Sequence, residues 1–212
     1  MADITLYTHP MSSGRIVRWL LEEIGVAYDV EVIDVAQDFR PPAFLAINPM
    51  GKVPVLRHGE AIVSETGAIC AYLADAFPAA DLAPPPQSSA RGDYLRWLFF
   101  AAGPLDTATA LQSMGFAPPP YGDNRAPWGS LDRVVETLDT TLAARDYLAG
   151  DRFSAADVFL GSLLDWAVRF GTIEERPAFA AYLARINSRP AQLRATALDD
   201  ALAGRPILSK VV

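Results

Sequence analysis

Hydrophobic and polar positions change their period along the chain, and each change marks an element. Residues 3 to 7, Asp-Ile-Thr-Leu-Tyr, alternate and are rich in strand formers, and His9-Pro10-Met11-Ser12-Ser13-Gly14 then breaks the alternation. From Arg15 onward, Ile16, Val17, Leu20, Leu21 and Ile24 recur at helical spacing, with Gly25 where a helix stops. Val30 to Val35 reads as a second strand, which a helical crossover sets parallel to the first. Val53 to Arg57 and Ala61 to Val63, separated by His58-Gly59-Glu60, predict an antiparallel hairpin. Ile69, Leu73 and Phe77 predict the helix that follows it. The order is βαβ, a short helix, then ββα, which is an α/β domain.

Residues 78 to 89 hold four prolines among small polar residues, a composition that resists helix and has little to bury. They divide the chain into an α/β domain over 1–78, a linker over 79–89 and a second domain over 90–212. In the second domain the periods are helical: Tyr94, Leu95, Leu98 and Phe99, then Leu131, Val134, Val135, Leu138 and Leu142, then Val158 through Phe170, then Phe179, Tyr182, Leu183 and Ile186. This predicts an all-α bundle. Residues 117 to 127, with four prolines and one glycine, predict an ordered loop within it.

Composition narrows the function classes. At 212 residues and 51% hydrophobic, the chain can bury a sizeable core. Its formal net charge of −7 offers no footprint for phosphate backbones or anionic lipid, so neither nucleic acid nor a membrane surface is an expected partner. No basic n-region opens the chain and no apolar run approaches the ~20 residues of a bilayer span, which predicts a cytoplasmic protein. Cys70 is the single cysteine and His9 and His58 the only histidines, so an intramolecular disulfide is excluded and no metal site is expected.

Several polar residues stand out, each with a structural reading of its own. Ser12 and Ser13 sit where a helix begins and suit an N-cap. Pro54 after Val53 suits an edge strand in the ordinary trans form, and Lys52 suits a solvated turn. Glu65 and Thr66 open a helix, where an acid is favourable to the helix dipole. Ser154 and Asp157, flanked by Phe153 and Val158, have the spacing of a capping box with a hydrophobic staple. Cys70 falls mid-helix and reads as a small buried hydrophobe.

Taken together, Pro10-Met11-Ser12-Ser13-Gly14-Arg15, the run from Asn48 to Leu56 (Asn-Pro-Met-Gly-Lys-Val-Pro-Val-Leu), Ser64-Glu65-Thr66-Gly67-Ala68-Ile69 and the segment Phe153 to Val158 resemble the cytosolic, bacterial-type glutathione transferase family. The resemblance covers nearly the whole chain. It implies a thioredoxin-like glutathione-binding domain followed by a helical domain carrying the electrophile pocket, with glutathione as co-substrate. It implies that one hydroxyl, Ser13 or Ser12, meets the glutathione sulfur. Counting from Pro10 favours Ser13, whereas counting back from Arg15 favours Ser12 or an earlier position. Val53 before a cis Pro54, with Lys52 beside it, is implied to pair with the cysteinyl backbone, and Glu65 and Thr66 to hold the γ-glutamyl group. Thr66 stands where the family usually carries Ser. The implied activity is conjugation of glutathione to a small, largely apolar electrophile, as in detoxification, by a homodimer. A glutathione-dependent isomerase or dehalogenase, and a binding protein without catalysis, are the alternatives on the same fold.

Overall fold

In the computed structural model, residues 3–34, 41–116 and 125–204 are described; the proline-rich stretch beginning at residue 117 lies almost wholly outside them. Strand β1 (Ile4–Thr8) is buried along its whole length. It runs into helix α1 (Gly14–Ile24), which ends as its sequence predicts: Gly25 takes the left-handed conformation, φ 74°, and its N–H closes on the Leu21 carbonyl. Strand β2 (Asp29–Val32), helix α2 (Pro42–Ile47), strands β3 (Val55–His58) and β4 (Ala61–Ser64) and helix α3 (Thr66–Ala76) complete the βαβ, α, ββα order.

The sheet order is β2-β1-β3-β4, with β1 parallel to β2 and antiparallel to β3, and β3 antiparallel to β4. Alternation along the central strands gives the sheet two buried faces. Tyr7 and Val55 meet Phe44 of α2 and Ile33, with the Tyr7 and Phe44 rings 6.0 Å apart. Helix α1 packs on β1 and on α3. This is a thioredoxin-like layering, with helices on both sides of a mixed sheet.

A 3-10 turn at Pro78–Ala80 follows α3, and the second compact unit starts at Asp81. It contains helices α4 (Ser89–Phe100), α5 (Asp106–Ser113), α6 (Leu131–Ala144), α7 (Ala155–Arg169) and α8 (Pro177–Asn187). Between α4 and α5 the chain widens to a π-helical turn at Ala101–Leu105, where Pro104 cannot supply an N–H to a regular ladder. Helix α7 is the buried centre of the unit. Its start is built as the capping-box spacing predicts: Asp157 Oδ2 accepts the N–H and the hydroxyl of Ser154, both at 2.9 Å. Its Oδ1 accepts the Leu148 N–H and the Tyr182 hydroxyl.

The division differs from the expected 90–212 helical domain at one end. Helix α9 (Pro190–Ala203) packs on α1 and groups with the first unit. The physical reason is its inward face, Ala191, Ala195 and Asp199, which is small and charged and finds its complement on α1.

Candidate functional site

Strand polarity brings the singled-out segments of the first unit to one end of the sheet. Tyr7 pairs with Val55, and Val55 with Ser64. The exit of β1, the entry to β3 and the exit of β4 therefore lie side by side, and the segments 9–14, 48–54 and 64–68 continue directly from them.

The first segment is held by its own polar groups. The Ser12 hydroxyl donates to the His9 carbonyl at 2.7 Å and accepts the N–H of Gly14 at 3.1 Å and of His9 at 3.4 Å. The ring Nδ1 of His9 accepts the Met11 N–H. Ser13 occupies the N-cap position of α1, yet its side chain makes no capping bond and pairs with nothing among the described residues. Sequence keeps both serines as candidates, with Ser13 favoured by the count from Pro10; the structure separates them into one hydroxyl spent on the loop and one without a partner among the described residues. Gly14 brings α1 against β1, for a Cβ there would fall 1.8 Å from Thr8 Oγ1 and 2.8 Å from Thr8 Cβ. No residue but glycine fits without displacing the helix start.

The second segment is organised by buried Asn48. Its amide donates to the Lys52 carbonyl at 2.8 Å, its Oδ1 accepts the Met50 N–H, and its own carbonyl accepts the Gly51 N–H. Lys52 is exposed and Val53 half-buried. The Val53-Pro54 peptide bond is cis, and the strand begins only at Val55. Among the described residues, the N–H and C=O of Val53 take no backbone partner. Asn48 is a positioning residue not singled out on its own in the sequence; its place as the first residue of an Asn-Pro-Met-Gly turn is the signal that identifies it.

The third segment is strained. Glu65 is exposed and sits at the N-cap of α3 with φ 69° and ψ 120°, a region that residues with a Cβ rarely enter. The first helical bond after it runs from the Ile69 N–H to the Glu65 carbonyl, so the N–H groups of Thr66, Gly67 and Ala68 precede the ladder and face outward from the helix end. The Thr66 hydroxyl, half-buried, takes no partner among the described residues. Such an end favours a carboxylate. Cys70, one turn further on, is fully buried, and burial pushes its thiol well above the usual range, which removes it as a nucleophile.

A thioredoxin-like unit with these segments at one sheet end, followed in sequence by a helical unit, defines a class that comparison with known proteins identifies. Residues 2–75 match the glutathione S-transferase N-terminal domain and residues 128–190 the glutathione S-transferase C-terminal domain. The chain is 29% identical over 206 residues to glutathione S-transferase 3 of Zea mays, covering 90% of this chain and 92% of that one. The crystal structure of a glutathione transferase from Methylococcus capsulatus matches with a TM-score of 0.79 and 28% identity over 93% of this chain and 99% of that chain. A sphingomonad glutathione S-transferase complexed with glutathione matches with a TM-score of 0.75 and 29% identity over 92% and 98% of the two chains. The chain belongs to the glutathione S-transferase family and is an enzyme of the glutathione transferase class. No helix among the described residues is long and apolar enough to cross a membrane.

Proposed function

We propose that the end of the sheet formed by residues 9–14, 52–54 and 65–68 binds glutathione extended across it and that Ser13 stabilises the thiolate, which attacks a small apolar electrophile. The observation that carries the reading is the convergence, at one sheet end, of groups without partners among the described residues: the Ser13 hydroxyl, the Val53 backbone and the start of α3. From β1 to β4 is two strand spacings, about 9.5 Å, and an extended tripeptide reaches about 10 Å, so one ligand can touch all three.

The chemistry follows from the groups. Extended backbone of the ligand pairs with Val53, as in strand addition. Its γ-glutamyl carboxylate meets the α3 N–H groups and the Thr66 hydroxyl, its ammonium meets Glu65, and Lys52 lies beside the cysteinyl-glycine end. The sulfur then falls by Ser13 at the start of α1. A thiol titrates near ~8.5, and lowering that by about two units needs roughly 2.7 kcal/mol of preference for the anion. A hydrogen bond to a charged group at ~1.5–3 kcal/mol, with ~0.3–1 kcal/mol from the helix end, supplies it. The thiol proton passes to solvent and the thiolate forms the new C–S bond; in a substitution the leaving group departs with its bonding pair, and in an addition the displaced electron pair takes up a proton from solvent.

The test is thiolate absorbance against pH for bound glutathione, with Ser13→Ala and Ser12→Ala, followed by a panel of conjugation, isomerisation and dehalogenation substrates. Ser13→Ala should move the titration toward that of free glutathione, and Ser12→Ala should cost ~1 kcal/mol of stability through its lost loop bonds. A titration unmoved by Ser13→Ala removes the assignment. We also propose a homodimer, supported by exposed Leu95 and Phe99 on α4 and Ile62 on β4. Sedimentation equilibrium showing only a 22.9 kDa species at micromolar concentration would remove that part.

A further inference from the structure

The seam between α1 and α9 is charged, and its charges are ordered along the helices. At the start of α9, Arg189 meets Glu23 at 2.6 Å and Arg194 meets Glu22 at 3.2 Å. At its end, Asp199 meets Arg18 at 2.8 Å and Asp200 meets Arg15 at 3.0 Å. The helices are therefore antiparallel, acid facing base at both ends. Three of these pairs end within the helical seam and its immediate neighbours. The fourth reaches the candidate site. Arg15, 7% exposed, donates through Nη2 to Asp200 Oδ1 and through Nη1 to the buried carbonyl of Pro10 at 3.3 Å. Pro10 opens the three-residue run Met11-Ser12-Ser13.

We propose that Arg15 is a positioning residue for the sulfur site: Asp200 holds its guanidinium where it tethers the Pro10 carbonyl, and so the C-terminal helix sets the placement of Ser13. The inference rests on the reading of Ser13 as the hydroxyl that meets the thiol. Ser13 has no side-chain bond among the described residues, so its hydroxyl is aimed by the backbone, and that backbone is fixed from the Pro10 side by Arg15. A guanidinium suits the task because its rigid planar fork carries two bonds in set directions, whereas an ammonium does not. The Pro10 carbonyl is buried and would lose its partner if the fork swung away.

Two roles for Arg15 predict opposite signs. If its charge acted directly on the sulfur, removing the compensating Asp200 charge would favour the thiolate and lower the thiol pKa. If Arg15 is a tether, Asp200→Asn loosens it and the pKa rises. The experiment titrates glutathione bound to the full chain by thiolate absorbance for wild type, Asp200→Asn, Arg194→Ala and Ser13→Ala, alongside melting temperature and affinity for S-methylglutathione, which has no thiol. Asp200→Asn should raise the thiol pKa by about one unit with affinity for S-methylglutathione little changed. Arg194→Ala should lower the melting temperature and leave the titration in place. If Asp200→Asn does not fold, Arg15→Lys, which keeps the charge and loses the fork, carries the same expectation. A titration unmoved or lowered by these variants while Ser13→Ala raises it overturns the proposal alone. A wild-type titration no lower than that of free glutathione, or one insensitive to Ser13→Ala, overturns the reading of Ser13 and the proposal with it.

Discussion

Replacing Glu65 separates two quantities that usually move together, because its backbone and its side chain work against each other. At φ 69° and ψ 120° a residue with a Cβ carries strain of order 1–3 kcal/mol, and nothing within α3 requires it, since the side chain makes no capping bond. Glycine relieves that strain but loses ~0.4–1 kcal/mol through the freer unfolded chain. Glu65→Gly should therefore equal wild type or exceed it by up to ~2.6 kcal/mol, whereas Glu65→Ala keeps the strained conformation and gains nothing. A difference of ~1 kcal/mol corresponds to roughly 2–4 °C in melting temperature for a chain of this size. Both variants lose the charge proposed to meet the γ-glutamyl ammonium, an expected loss of about 1.5–3 kcal/mol or tenfold and more in affinity. Thermal melts and calorimetric titration with glutathione read the two effects in one set of samples. A glutathione analogue lacking the ammonium should bind all three proteins alike. Were Glu65→Gly to bind glutathione as wild type does, the Glu65 side chain would have no connection to the ligand; were it less stable than Glu65→Ala, by the ~0.4–1 kcal/mol of the freer unfolded chain, there would be no strain to explain.

Thr66→Ala should raise KM for glutathione and leave the thiol titration unchanged if, as proposed, the hydroxyl meets the γ-glutamyl end of the ligand; a changed titration with unchanged KM contradicts that placement. Gly14→Ala forces a Cβ to within 1.8 Å of Thr8 Oγ1, and should cost ~1–3 kcal/mol in urea unfolding while weakening glutathione binding. Adding Thr8→Ala should recover part of that loss, and no recovery would point to a different obstacle. In Asp157→Asn, either orientation of the amide sets its NH2 against a backbone N–H, that of Leu148 or that of Ser154. A loss of about 1–3 kcal/mol is expected for the opposed donor, and one under ~0.5 kcal/mol would mean that the four donors around this carboxylate contribute little.

The thioredoxin-like unit is largely legible in the sequence because its elements are periodic and closed by clear signals. Gly25 ends α1, His58-Gly59-Glu60 turns the hairpin, and β1 alternates in residue type. Helix α9 was invisible to the same reasoning: it buries Ala191, Ala195 and Asp199 and exposes Leu193, Leu198 and Leu202, so its apolar residues trace the wrong face. A seam made of ion pairs leaves no apolar period to find. At the site, residue type identifies which segments matter but not what each atom does. Ser12 and Ser13 are chemically identical, and only the turn of the loop commits one hydroxyl to His9 and Gly14. Glu65 reads as an ordinary helix-start acid, and its unusual φ is a property of the backbone that residue type does not announce.

The return of α9 to α1 has a consequence for the order in which the protein is made. The chain leaves the first unit at Ala80 and rejoins it at Arg189, with the whole helical unit between. At ~5–20 residues per second, synthesis spends roughly 5–20 s on that insertion, and throughout it Arg15, Arg18, Glu22 and Glu23 of α1 lack their partners on α9 and at its start. The helical unit, continuous in sequence, can fold in that interval, whereas the unit begun first is completed last. A nascent chain halted at residue 188 holds every residue of the proposed glutathione site and lacks the helix that packs on α1. Pulse proteolysis of stalled chains should find the N-terminal unit cut at that length and protected once α9 has emerged; equal protection at both lengths would show that α9 is an ornament to a unit already finished.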